Sequence, residues 1–411
     1  MTKKDYTKTL RVIILFGIVS LLGDIIYEGA RSINGQYLQT LGASAAIVGL
    51  IAGFGEFLGY GLRFLSGYFS DKTKAYWLFT ILGYGLLASI PLLALTGLWQ
   101  VAALFIIMER IGKAIRNPAR DTLLSHSAKT VGTGWGFAVH EFLDQIGALL
   151  GPLMIALIFF SLSGSTQSVK DYKYVYSILW IPYMLLMGIL FLTYFISKDS
   201  QKFEKVEKRK VERLSDTYWY YLAFTFLTTL GFINFVIFGY HFKARNILSD
   251  SQIPLFYAAA MMVDAVFALI IGRLYDAIKR KRKNEAAGLL LLIIIPVLTA
   301  LIPVLVFLQN VYLIFLGIIL WGAVMGAHET IMRAAIADIT PLSKRGTGYG
   351  IFTAVYGFSA LLSGIAAGVL YEYGIYPLIA FVVAVQVCSV LVFLLMKNKL
   401  ENFLIINKTI I

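Results

Sequence analysis

The sequence predicts an all-α integral membrane protein with twelve transmembrane helices in two six-helix bundles, and three observations carry that prediction. First, of 411 residues 59% are hydrophobic and only 14% charged, with a mean hydropathy of +0.77. Soluble domains carry about 25% charged residues, so this chain has too little charge to cover soluble surfaces. Second, the apolar residues fall in runs long enough to cross a bilayer, which takes about 20 residues. Third, one long polar stretch, KDSQKFEKVEKRKVERLSD at 198–216, separates six runs from six. A soluble enzyme, a disulfide scaffold and a disordered chain are excluded. Cys388 is the single cysteine, so no intrachain disulfide can form.

The spans fall at about 10–37, 44–68, 75–97, 100–123, 133–160, 174–197, 217–241, 252–273, 286–308, 311–338, 346–371 and 375–396. The first run is long, carries acids and is followed by further spans, so it reads as a span rather than a cleaved signal. A net charge of +13 suggests nucleic acid until the 36 Lys and Arg residues are placed. Lys170, Lys173, Lys243 and Arg245 lie in loops of one side, and Arg31, Arg63, Arg110 and Arg333 lie inside spans. The others gather toward the termini and loops of the opposite side, which makes that side cytoplasmic and the number of spans even. Basicity here records topology, and no nucleic-acid face with stacking aromatics is present. Tyr76, Trp77, Trp135, Trp180 and the run Tyr218 to Tyr221 fall at span ends, where amphipathic rings favour the headgroup layer.

These runs give a first bundle at 1–197, a solvated cytoplasmic linker at 198–216, a second bundle at 217–397 and a cytoplasmic tail at 398–411. The halves echo each other. GYFSDK at 67–72 and GRLYDA at 272–277 both place G-x-x-x-D at a cytoplasmic exit, and KTVGTGWG at 129–136 matches SKRGTGYG at 343–350. Two such matches, in order, indicate a duplicated six-span unit of the kind in which two bundles rock about a central site.

On these residues the chain resembles the major facilitator superfamily along its whole length. Gly67 to Lys72 looks like that superfamily's signature loop between helices two and three, with a weaker copy at Gly272 to Asp276. ERIGKAIRNPARDTLL at 109–124 and GFAVHEFLDQIGALLGP at 136–152 look like a widespread branch of prokaryotic permeases. Two departures stand out. Lys72-Thr73-Lys74 replaces the usual Gly-Arg-Arg tail, and Gly147-x-x-x-Gly151-Pro152 resembles the helix-five antiporter motif without its later glycines. The resemblance implies a monomeric secondary transporter, with the partial helix-five motif favouring export by antiport. It also implies a cytoplasmic gate that holds the outward-facing state closed, built from Gly67, Asp71, Lys72, Arg116, Arg120, Asp121, Gly272 and Asp276.

A charge at mid-bilayer costs about 2.5–3.5 kcal/mol on insertion scales, so ionisable residues inside spans are functional candidates. Asp24, Glu28 and Arg31 share one face of the first helix, with Ser20 and Gly35 extending the stripe. Such a face must line a polar cavity or meet another helix; a local Glu28–Arg31 pair is the plainer alternative. Asp24, with no basic neighbour one turn away, is the expected proton acceptor. In the fifth span His140 and Asp144 share a face with Gly136, Gly147 and Gly151, and Glu141 lies beside them; relay of protons, cation binding and simple self-satisfaction all fit. Glu109 and Arg110 sit near mid-depth in the fourth span. Arg110 cannot shed its proton, so it needs an anionic partner, and Asp24 at matching depth would release it on protonation. Asp71 is placed to cap a helix N-terminus of the opposite half.

Glu56 and Arg63, seven residues apart, cannot pair with each other. In the second half His328, Glu329 and Arg333 lie on one helix with Glu329 and Arg333 as an i,i+4 pair, while Asn234 and Asp264 stand apart. No nucleotide-binding loop and no metalloprotease or hydrolase motif occurs, so neither an enzyme nor a cofactor is expected.

The reading is proton-coupled alternating access for a small organic molecule in the cytoplasmic membrane, with lipid, protons and substrate as the partners; Asp24 and Glu28, with His140, Glu141 and Asp144, take up the protons, and Arg31 and Arg110 respond to the charge change or meet an anionic group of the substrate. Three alternatives stay open: an organic-anion uptake symporter using Arg31, Arg110 and Arg333; a divalent-metal transporter using His140, Asp144, His328 and Glu329; and a membrane sensor that moves nothing.

Overall fold

The computed structural model describes residues 3–128, 132–162, 164, 166–197, 214–282, 285–341 and 344–409. Linker residues 198–213, and residues 129–131 and 343 of the two glycine-rich repeats, lie outside them. The described residues form helices without a strand: α1 (Lys3–Thr40), α2 (Ala45–Thr73), α3 (Tyr76–Leu95), α4 (Trp99–Ala128), α5 (Thr133–Ser161), α6 (Val169–Ser197), α7 (Asp216–Ala244), α8 (Gln252–Arg282), α9 (Ala287–Val306), α10 (Val311–Ile339), α11 (Arg345–Tyr373) and α12 (Ile375–Thr409). Eleven are long and apolar enough to cross a membrane. The twelfth, α4, matches them in length but carries Glu109, Arg110, Lys113, Arg116, Arg120 and Asp121. The helix that composition alone leaves out is thus one that carries charge along its middle. α12 runs on to Thr409, through the segment expected to be a tail.

Local sequence sets the helix ends. Ser44 caps α2 by accepting from the Ile47 amide at 3.4 Å, and Asn310 caps α10 by accepting from Tyr312 and Leu313 at 3.0 and 3.3 Å. Ser168 and Asp171 form a reciprocal capping box at the start of α6. Gly42, at φ +83°, ends α1 in the left-handed region that favours glycine.

Contacts gather the chain into two compact units. One holds α1 to α6 together with Phe235–Ala258; the other holds the preceding part of α7, up to Asn234, and everything from Ala259 onward. Phe235–Ala258 belongs to the second half in chain order, but it packs on α1 of the first.

In the first unit α1 is central, touching α4, α5, α6 and the latter part of α7. Small residues bring the backbones together. A Cβ on Gly151 would meet the Ile25 carbonyl and the Gly29 amide at 2.5 and 2.9 Å, and Gly147 lies as closely on Leu21. Gly83 and Gly112 interlock α3 with α4, which fixes the depth of Arg116. Exposed Leu78, Leu104, Phe142, Leu157, Ile181 and Phe195 give the unit an apolar exterior fit for lipid.

In the second unit the first part of α7 packs on α11 and α12, and α9 on α10 and α12. Gly322 and Gly326 of α10 lie on the backbones of Ala260 and Asp264 of α8. Two helices are interrupted. α7 loses regular helix from Gly231 to Asn234, and α10 breaks at Thr330, between Glu329 and Arg333. The carbonyls around the α7 break find side-chain donors: Trp321 to Ile233 at 2.9 Å, Ser363 to Phe232 at 2.9 Å, Gln386 to Thr228 at 3.0 Å and Ser359 to Phe226 at 2.5 Å. Without them the freed carbonyls would be costly in an apolar interior.

The α1–α5 approach yields a direct test. Gly151→Leu is expected to push the helices apart and destabilise the protein by about 1–3 kcal/mol, read as a fall in melting temperature in detergent. Gly61→Leu, where a Cβ meets open space, is expected to leave it unchanged.

Candidate functional site

The intramembrane charges of the first half converge on one cluster. The Glu56 carboxylate on α2 lies 3.2 Å from Arg31 of α1 and 3.2 Å from Arg110 of α4. Arg31 also faces Glu28 at 3.7 Å, one turn away on its own helix. Both guanidinium groups donate to the Tyr27 hydroxyl, Arg31 at 3.3 Å and Arg110 more closely. Glu109 lies 3.7 Å from Arg110 and 3.9 Å from Arg116. The Tyr27 ring carries Lys113 over its face at 3.7 Å, and Tyr84 carries Arg116 at 4.9 Å. Tyr257, from the segment that crosses from the second half, donates to Glu28 at 2.5 Å. Charges taken out of water stay paired because an isolated buried ion costs far more than a matched one.

A second network lies on the same helices, toward the linker side. Ser20 donates to Asp144 of α5, and Arg120 donates to Ser20 at 3.1 Å and to Asp121 at 2.9 Å. Between the two networks is a cavity of about 40 Å³, lined chiefly by Asp24, Asp144, Lys113, Arg116, Asn117 and Arg120. That volume holds a few water molecules. Nη1 of Arg116 and Oδ1 of Asn117 are buried there without a hydrogen-bond partner, and Arg116 is only 2% exposed.

Several expectations change on this geometry. Arg110 takes Glu56, Glu109 and Tyr27 as partners in place of Asp24, because α2 delivers Glu56 directly to the guanidinium. Asp24 instead lines the cavity with Lys113 and Arg116. Arg116 and Arg120, expected at the gate, both line the cavity. Glu141 lies on the exposed face of α5, where Gln145 donates to it at 3.4 Å. His140 is buried, with Nε2 lacking a partner. Asp71 accepts from Tyr76 at 2.8 Å within its own unit, Lys72 stacks over Tyr68, and Gly67 lies against Pro118. Asp121 and Asp276 are exposed, and Gly272 lies against Thr330.

The second unit places its candidates differently. His328 bonds the Tyr356 hydroxyl through Nδ1 at 3.1 Å and packs on Phe232, whose ring stacks on Trp321. Asn234 ends the unwound part of α7, Asp264 is buried under Gly326, Glu329 closes the first part of α10, and Arg333 is exposed. Among the described residues no group of three His, Cys, Asp or Glu side chains is arranged to hold a metal ion.

Some residues of these networks were not singled out in the sequence. Lys113 stands three residues from both Arg110 and Arg116, so helical spacing marks it. Asp338 accepts from Lys279 at 2.9 Å and from Tyr275 at 2.8 Å, and Arg333-x-x-x-x-Asp338 repeats the spacing of Arg116-x-x-x-x-Asp121. Asp250, 1% exposed, accepts from Lys243, from Tyr172 at 2.7 Å and from the Gln167 amide at 2.5 Å; nothing in its loop sequence marks it.

Paired charges in the interior of a helical membrane bundle, around a small polar cavity, define a membrane transporter. The chain belongs to the Major Facilitator Superfamily, whose sequence profile matches residues 13–295 and again 220–402. It is 36% identical over 390 residues to an uncharacterized protein of Mycobacterium tuberculosis, covering 92% of this chain and 91% of that one. It is 27% identical over 369 residues to an uncharacterized MFS-type transporter of Methanocaldococcus jannaschii, covering 87% and 88%. Among solved structures it is similar in fold to the nucleoside transporter NupG, with a TM-score of 0.71 at 14% identity over 94% of this chain and 98% of that one. It is also similar to a bacterial homolog of the human lysosomal transporter Spinster in an inward-facing, occupied conformation, with a TM-score of 0.68 at 14% identity over 94% and 96%.

Glu56 is the shared counter-ion, so its loss leaves two buried guanidinium groups facing each other. Glu56→Ala is expected to cost about 3–5 kcal/mol, read as a lower melting temperature in detergent, and Glu56→Asp to recover part of that loss.

Proposed function

We propose that the protein is a proton-coupled secondary transporter of a small polar organic solute, with Asp24 and Asp144 as the proton-binding pair. One observation carries this reading: two carboxyl groups from α1 and α5 line a single small cavity with Lys113, Arg116 and Arg120 of α4. A carboxyl group there donates a hydrogen bond when it carries a proton and only accepts when it does not. Gaining or losing that proton changes what the three cations face, and a carrier needs such a charge-driven two-state element. Gly147 and Gly151 serve the packing of α5 on α1, so the partial helix-five motif speaks to bundle geometry and gives no direction of transport. The distribution of Lys and Arg supports termini on the cytoplasmic side of the cell membrane.

The test uses proteoliposomes with a trapped pH-sensitive dye and a solute panel of nucleosides, sugars, peptides, carboxylates and organic cations. The names of the structural neighbours supply part of that panel, since they include nucleoside, peptide and D-xylose–proton carriers. At least one solute is expected to move protons with it in the wild type. Asp24→Asn and Asp144→Asn are each expected to lose that coupling while folding normally. Undiminished proton movement in both variants sinks the assignment.

A further inference from the structure

We infer that the Asp24–Asp144 cavity is a binding site for one anionic group, a carboxylate or phosphate, and that it opens to the anion only when those two carboxyl groups are protonated. This rests on the reading of that pair as the proton site and adds the substrate class and the sense of coupling.

The charges within reach set the argument. Lys113, Arg116 and Arg120 supply three cations to the cavity wall, and Asp24 and Asp144 supply two carboxyl groups there. Glu28 and Glu56 are committed to Arg31 and Arg110, Glu109 lies between Arg110 and Arg116, and Asp121 holds Arg120. With Asp24 and Asp144 ionised, an incoming anion competes with them for the three cations of the wall. With both neutral, only Glu109 on Arg116 and Asp121 on Arg120 remain as counter-charges, and one anionic group balances the third cation.

The cavity also presents donors ready for such a group. Nη1 of Arg116 is buried without a hydrogen-bond partner. Lys113 rests on the face of the Tyr27 ring and makes no ion pair within 4.0 Å among the described residues. A buried guanidinium N–H without an acceptor and an ammonium without a close ion pair stand on one wall, and both can donate to an anionic group. Arg fits a carboxylate or phosphate through its planar fork, and Lys supplies a point charge.

The groups that face the pair come from every neighbouring element. α1 brings Ser20 and Glu28, α3 brings Tyr84, α4 brings Lys113, Arg116 and Arg120, and α5 brings His140. Because the anion and the protons favour the same state, each raises the affinity of the other and the two cross together, as in symport.

The experiment is isothermal titration of the purified protein at about pH 5.5 and about pH 7.5. One arm uses inorganic phosphate and succinate, a second uses an anionic phospholipid in mixed micelles against a zwitterionic one, and choline is the cationic control. Binding of phosphate or succinate identifies a soluble anion, and binding only in the second arm identifies a lipid headgroup; either supports the site. Affinity is expected to weaken by about tenfold or more at the higher pH, where proton release is favoured. Asp24→Asn with Asp144→Asn is expected to bind at both pH values alike. Lys113→Gln is expected to lose about tenfold or more while keeping its melting temperature, and Arg116→Lys to retain part of the binding.

No binding in either anion arm, binding of choline alone, or full binding in Lys113→Gln overturns the inference. The proton-site reading fails separately, by proton-coupled flux that survives both aspartate substitutions.

Discussion

A guanidinium in a membrane interior cannot neutralise itself by releasing its proton, and the first unit is arranged around that fact. Arg31 and Arg110 enter on different helices and share one carboxylate, Glu56, from a third. This single contact ties α1, α2 and α4 at mid-depth. Tyr27 between the two cations gives each a hydroxyl and offers its ring face to Lys113. Apolar packing alone does not fix such an arrangement, because in lipid the tails are as apolar as the side chains and do not drive helices together. Close glycine contacts set the distance between helices, and the shared counter-ion sets their register.

The second unit answers a different demand. It has fewer buried charges, but it contains a helix that loses its own ladder at Gly231–Asn234. Trp321, Ser363, Gln386 and Ser359 supply donors to the carbonyls of that region. Irregular backbone at membrane depth survives only where protein groups replace the missing bonds, and interrupted helices of this kind mark the working regions of carriers. The two units therefore differ in what they bury: ion pairs in one, freed backbone in the other.

The spans were legible because each is a long apolar run; most of the observed helices begin near the expected residues, while α8 and α12 run on past their expected ends through basic and polar sequence that helix tolerates outside lipid. Charge concentration in α4 was legible too, as the stripe running from Arg110 to Arg120. Partner choice was not. Glu56 meets Arg31 and Arg110 from other helices, and spacing along one chain carries no information about which helices meet. Asp24 and Arg110 match in depth, but they sit at different azimuths around α1 and α4, and depth gives no azimuth. The break in α7 was hidden because Gly231 and Asn234 lie inside an otherwise unbroken apolar run. Asp250 read as a loop acid, and only the fold brings Lys243, Tyr172 and the Gln167 amide onto it.

The segment Phe235–Ala258 lies in the first unit while the chain on either side of it lies in the second, and the two junctions differ in backbone regularity. On the α7 side the change of unit falls just after Asn234, where bending breaks no ladder bonds. On the α8 side it falls inside a continuous helix of 31 residues, a rod about 45 Å long at 1.5 Å per residue. One end of that rod is next to the buried Asp250, and the other carries Lys279, Arg280, Lys281 and Arg282. A helix does not stretch, so α8 holds its Asp250 end and its basic end at a fixed separation.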